Sequence, residues 1–232
     1  MKRHLVKPHD IAFESSVYVV PNGGPKAAFL PLSEEGESSG AAPIWFTYFG
    51  RFQPYYELGV VIDAFEAAYA VNPDVRLELH GDGLDTKLRK RVAKLDGAVY
   101  GGAFHGVDDL RIRLGNRKHV FLLPYVQSQG DSVQSPIKLF EYLSLGRPIL
   151  VSQPGPEPEL LASSNACDHY RQGHADDLTE KMLRLAQSPD RYTQMTQSAR
   201  LLYTHELTWA GRANQLMAHL RERQHDVARG VR

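Results

Sequence analysis

The sequence predicts an α/β domain in which one parallel sheet is covered by helices on both faces. Three observations predict it. From Ile44 onward, short strand-like runs alternate with longer amphipathic stretches, the pattern left by repeated β–α units. The strand-like runs are short and apolar, as strands are when helices cover both faces of a parallel sheet. Gly50-Arg51, Gly81-Asp82-Gly83 and Pro124-Tyr125 each follow such a run, as does the loop before Pro136. All four would then share the edge where the strands end, which is where such sheets bind ligands.

In chain order, residues 1–43 form an N-terminal arm that differs from the rest. Within it, Ser16 to Val20 reads as one isolated strand. Ser33-Glu34-Glu35-Gly36-Glu37-Ser38-Ser39-Gly40 reads as a flexible loop, because a polar, glycine-containing run has nothing to bury. The domain proper spans 44–232. Its strands fall near 44–49, 76–80, 98–100, 119–124, 149–152 and 167–170. Amphipathic periodicity places helices near 57–71, 84–95, 106–115, 137–145, 156–162 and 175–187, and two more near 189–205 and 209–225. There is no internal repeat.

The stretch most informative about function runs from Ser135 to Ser152. Pro136 suits the first turn of a helix, where its missing N–H would be unpaired anyway. Gly146 supplies the stop, Pro148 prevents continuation, and Ile149-Leu150-Val151-Ser152 follows as a buried strand. A helix that starts just after a loop presents free N–H groups and partial positive charge, which favours a phosphate. Lys138 lies on its first turn and Glu141 one turn further on. A cation on the first turn is poorly placed for the helix dipole, so an anion nearby would explain it. A base in reach of phosphate and an acid in reach of a ribose suggest a nucleotide site.

The chain has 232 residues, enough to bury one sizeable core. Its 27 basic and 27 acidic residues balance, which excludes a field that would gather nucleic acid or an acidic membrane. A single cysteine, Cys167, excludes an internal disulfide framework and fits a reducing compartment. No apolar run approaches the roughly 18 residues that cross a bilayer. Met1-Lys2-Arg3 is followed by no apolar h-region, so a cytoplasmic location is the expectation. The histidines His80, His105, His119, His169 and His174 show no zinc-ligand spacing. Trp45 and Trp209 read as core residues.

Taken together, these motifs resemble the donor-binding half of the retaining GT-B glycosyltransferases of family 4, the glycosyl transferases group 1. Phe49-Gly50-Arg51 is similar to the family's strand-end Gly-Arg, and Leu77-Glu78-Leu79-His80-Gly81-Asp82-Gly83 to its second strand and glycine turn. The 135–148 stretch resembles its donor loop and helix, and Pro156-Glu157-Pro158-Glu159-Leu160-Leu161 the Pro-Glu helix start that follows. Leu207-Thr208-Trp209 resembles the start of its last helix, and Val19-Val20-Pro21-Asn22-Gly23 the segment that joins its two halves. The resemblance covers nearly the whole chain but only the C-terminal half of a normal enzyme, and it implies a single Rossmann-like domain.

The resemblance implies a site as well. Arg51 and Lys138 would neutralise the diphosphate of a UDP- or GDP-hexose, and Glu141 would hold its ribose. Gly50, Gly81, Asp82, Asp131, Ser135, Pro136 and Ile137 would complete the donor site, with no cofactor and no metal required. The scheme is hexose transfer with retention of configuration. The acceptor belongs to the family's other half, so this chain is expected to bind donor but transfer little or nothing alone. That points to a partner, either a separately encoded acceptor subunit or a second copy, and equally to a truncated fragment.

The departures carry information too. The family places a lysine five residues after the arginine, where Tyr56 stands, and a glycine next, where Glu57 stands. Of two family glutamates eight positions apart, Glu141 matches the second and Val133 replaces the first. On this reading Lys138 supplies the lost charge and Asp131 the lost acid. Two alternatives stay open: a non-catalytic nucleotide-binding or scaffold module, and a nucleotide-sugar epimerase, which shares the two-domain architecture.

Overall fold

The computed structural model describes residues 18–31, 42–126, 136–153 and 164–228. Six strands form one parallel sheet: β1 (Ile44–Phe49), β2 (Val75–His80), β3 (Ala98–Gly102), β4 (Lys118–Leu123), β5 (Ile149–Gln153) and β6 (Cys167–Arg171). Their order is β3-β2-β1-β4-β5-β6. Each strand falls where apolar runs place it, within one or two residues. The helices are α1 (Leu58–Val71), α2 (Thr86–Val92), α3 (Gly106–Leu114), α4 (Ile137–Ser144), α5 (Ala175–Ala186), α6 (Pro189–Leu202) and α7 (Trp209–Ala228). The α2 helix is shorter than its periodicity suggests. The Asp85 carboxylate accepts the backbone N–H groups of Lys87 and Leu88 at 2.8 and 3.2 Å, and this cap sets the start.

Strand side chains alternate between two apolar layers, as a pleat buried on both faces requires. Phe46, Tyr48, Leu77, Leu79, Val120, Leu122 and Leu150 face one layer with α1 and α5. Phe49, Phe121, Leu123, Ile149 and Val151 face the other with α3 and α4. The α6 helix joins both: Tyr192 and Met195 lie in the first layer, Ala199 in the second.

The isolated strand expected at Ser16 to Val20 does not form over 18–20, its described part. The backbone instead makes its bridge at Gly24, parallel to Thr208 just before α7. Residues 24–31, which the sequence assigns to the arm, are bound tightly to the domain. Ala28 and Leu30 donate their N–H groups to the carbonyls of Ser144 and Leu145 at 2.9 and 3.0 Å, satisfying groups that the end of α4 leaves open. Tyr203 donates to Pro25 O at 2.5 Å, and Arg200 to Leu30 O at 2.6 Å. Leu30 is fully buried. The expected loop at 33–40 and helix at 156–162 lie outside the described residues.

Candidate functional site

The strand order reverses between β1 and β4, because β1 leads toward β2 on one side and β4 toward β5 on the other. Such a switch point opens a crevice at the carboxyl ends of the strands. Here it is visible in the register. β1 and β4 pair from Ile44 with Lys118 to Thr47 with Phe121, and then part. Beyond that point α4 supplies the hydrogen bonds that the sheet lacks. The Tyr142 hydroxyl donates to Leu122 O at 2.9 Å and accepts weakly from Phe49 N at 3.4 Å. Lys138, one turn earlier on the same face of α4, donates from Nζ to Phe49 O at 2.8 Å.

Lys138 is 9% exposed. Its ammonium lies 4.9 Å from the Tyr48 ring centre and 5.4 Å from that of Tyr56, so two aromatic faces add cation–π attraction. Burial lowers its pKa from 10.5 to about 8, while the Glu141 carboxylate works in the other direction. Glu141 is half-buried. Burial pushes its carboxyl up, and Lys138 opposes that rise. The result is a desolvated ammonium, still charged at neutral pH, at the mouth of a crevice.

Glycine makes this approach feasible at two positions. Gly50 has φ +126°, and a Cβ there would run into Lys138 Nζ. Gly81 has φ +139°, and a Cβ there would run into the carbonyl of Gly50. These are backbone conformations that L side chains rarely adopt. The turns are then tied down, with Gly50 N on His80 O at 2.9 Å and Gly81 N on Gly102 O at 2.7 Å. Tyr100 donates to Gly81 O at 2.8 Å.

The structure thus brings Gly50, Gly81 and Lys138 into one place, with Glu141 on the next turn of α4. Arg51 is exposed at the same edge, its carbonyl accepting the Tyr48 hydroxyl at 2.8 Å. Asp82 is exposed too, and its carbonyl holds Phe52 N at 2.9 Å. Pro136 caps α4 from the position just before the helix rather than inside its first turn, and Ile137 is exposed at the helix start. Asp131, Ser135 and Val133 lie outside the described residues. Tyr48 and Tyr56 face the ammonium and Tyr142 shares the Phe49 carbonyl with it, partners that the sequence reading does not single out. The spacing of Lys138 and Tyr142, four residues apart, was the available signal.

Two aromatic expectations need correction. Trp209 is 47% exposed and heads α7, where Leu216, Met217 and Leu220 are also exposed. Trp45 is half-buried beneath the Arg117 guanidinium, 4.3 Å from its ring centre. Each lies where a strand or helix end meets solvent. Among the described residues, no helix is long and apolar enough to cross a membrane.

No curated protein sequence matches the chain. Among solved structures, it is similar to Anabaena Alr3699/HepE in complex with UDP and glucose, at 14% identity and TM-score 0.62, over 79% of this chain and 49% of that one. It is similar to a glycosyltransferase from Rickettsia africae ESF-5, at 13% identity and TM-score 0.70, over 95% and 60%. It is similar also to the C-terminal domain of the glycosyl transferase group 1 family protein LpcC from Francisella tularensis, at 14% identity and TM-score 0.56, over 78% and 96%. The chain spans about half the length of the first of these and nearly all of the last. Its fold is that of one Rossmann-like half of a GT-B glycosyltransferase. The profile of the family described as glycosyl transferases group 1 matches residues 43–188, more than half of the sequence, and the chain belongs to that family.

Proposed function

We propose that the chain is the donor-binding half of a retaining hexosyltransferase, holding a UDP- or GDP-hexose in the crevice between β1 and β4. One observation carries the reading. The Lys138 ammonium is buried at the switch point on a single carbonyl and two ring faces, beside Tyr56, the position where the family keeps its own lysine. A desolvated cation there is suited to a diphosphate, and the start of α4 adds partial positive charge. Arg51 adds a second cation from the rim, and Glu141 takes the ribose. Arg51 and Lys138 would stabilise the leaving diphosphate as the glycosyl bond breaks, without a metal ion. UDP is the first nucleotide to try, because the related Alr3699/HepE holds UDP and glucose. The acceptor would come from another domain or subunit, and Asp131 would contact the sugar.

The test is calorimetric titration with UDP, GDP, UDP-glucose and GDP-mannose, with Glu141→Ala and Lys138→Met as controls. Micromolar binding of one nucleotide, weakened at least tenfold in both variants, is expected. Wild-type binding that survives both substitutions unchanged would place the ligand elsewhere. Absence of binding to all four would favour a non-catalytic scaffold.

A further inference from the structure

We propose that Tyr55 reads the sugar of the donor, its ring serving as the stacking face for the hexose. The inference rests on the donor-site reading and names a residue that the family motifs do not mark. Tyr55 is 46% exposed, a large ring left at the rim of the crevice in the loop between β1 and α1. It is nonetheless held firmly. Its carbonyl accepts Val126 N at 2.7 Å, and the flanking backbone is fixed by Tyr56 N on Gln53 O at 3.0 Å and Glu57 N on Pro124 O at 2.9 Å. The next residue, Tyr56, forms an antiparallel bridge with Tyr125.

The ring itself rests on other rings. Its centre lies 4.7 Å from that of Tyr56 and 5.5 Å from that of Tyr125, both tilted. Tyr56 in turn lies under the Lys138 ammonium. The half-exposed Tyr55 ring is therefore one ring removed from the ammonium that, on the donor-site reading, receives the diphosphate. A hexose esterified to that diphosphate is within reach of it. One face of a hexose presents C–H groups, apolar and slightly positive, which complement the negative face of an aromatic ring. Because the ring is fixed before binding, little further order has to be imposed on it when a sugar arrives.

A hexose suits this platform better than a nucleobase because its rim is phenolic. The half-exposed Tyr55 carries a hydroxyl that can both donate to and accept from a sugar hydroxyl. The platform also leans toward β4, through Val126 and Tyr125. The Gly81 turn lies on the opposite, β2 side, against the Gly50 backbone that Lys138 meets, so a ligand laid across the ammonium has its two ends on different supports.

The experiment titrates wild type, Tyr55→Ala and Tyr55→Phe with UDP, UDP-glucose, GDP and GDP-mannose. Far-UV circular dichroism and a melting curve establish that each variant is folded. Tyr55→Ala is expected to weaken the preferred nucleotide sugar about three- to tenfold and leave the corresponding bare nucleotide unchanged. Tyr55→Phe keeps the ring and should retain most of the affinity. Equal weakening of nucleotide and nucleotide sugar would assign the ring to base or phosphate and overturn the proposal. Unchanged binding of both would overturn it as well. Either result leaves the donor site standing, whereas wild type binding none of the four ligands would remove both readings together.

Discussion

Replacing Lys138 by methionine should make the protein more stable and a poorer nucleotide binder at once. The methionine stem fills nearly the same volume, so packing around Tyr48 and Tyr56 is kept. What disappears is a buried charge. Bringing the lysine pKa from 10.5 to about 8 by burial corresponds to about 3 kcal/mol of destabilisation at neutral pH. Losing the hydrogen bond to Phe49 O offsets about 1–2 kcal/mol of the gain. A net rise of about 1–2 kcal/mol, or roughly 3–6 °C in melting temperature, is the expectation. The sign reverses with pH in a defined way. The unfolded chain holds this proton more tightly than the folded one, so between pH 8 and 10.5 wild-type stability gains on the variant as the buried lysine goes neutral. Melting curves from pH 7 to 10.5 measure the gap. Calorimetry should show nucleotide affinity lower by one to two decades in the variant at pH 7, and wild-type affinity declining above about pH 8. A variant less stable at pH 7, with a gap that does not vary with pH, would refute the reasoning about burial. An undiminished affinity would refute the role of the ammonium.

Three further outcomes are expected. Gly50→Ala combines a strained φ with a Cβ aimed at Lys138 Nζ, so urea unfolding should show a loss of about 2 kcal/mol, and nucleotide binding should fall with it. Burial would raise the Asp168 carboxyl, but Arg191, the His169 N–H, Lys181 and Arg184 together bring it down to about 2. Asp168→Asn should therefore cost about 2 kcal/mol at neutral pH, and the difference from wild type should vanish as pH falls from 3.8 through about 2. Tyr203→Phe removes the hydrogen bond to Pro25 O and should cost about 1 kcal/mol, with faster amide exchange at Gly24, Ala28 and Leu30.

Much of the fold was legible because its signals are local. A strand such as Val120–Leu123 announces itself by being apolar at every position, and Gly146 with Pro148 ends α4 in the sequence as it does in space. The positions of Gly50, Gly81 and Lys138 followed from the same logic, since each sits at the end of a strand or the start of a helix. The clamp on Phe49 was not legible. It depends on β1 and β4 parting after Thr47 and on α4 lying over that gap, which no window of sequence contains. The docking of 24–31 was hidden for a related reason: its partners are backbone carbonyls at the end of α4, and backbone groups leave no trace in side-chain pattern. Trp209 misled because a large aromatic reads as buried unless the helix face it occupies is known to meet solvent.

The α4 helix is eight residues long, about 12 Å, and it is fastened at both ends. At one end Lys138 reaches the crevice; at the other, Ala28 and Leu30 hold the last carbonyls, and Gly24 packs against Phe140 between them. Both fastenings act on one short, continuous helix. The N-terminal segment and the ammonium are therefore connected in series, like a handle and a blade. Whatever grips residues 24–31 thus acts, through α4, on the aim of the Lys138 ammonium at the crevice.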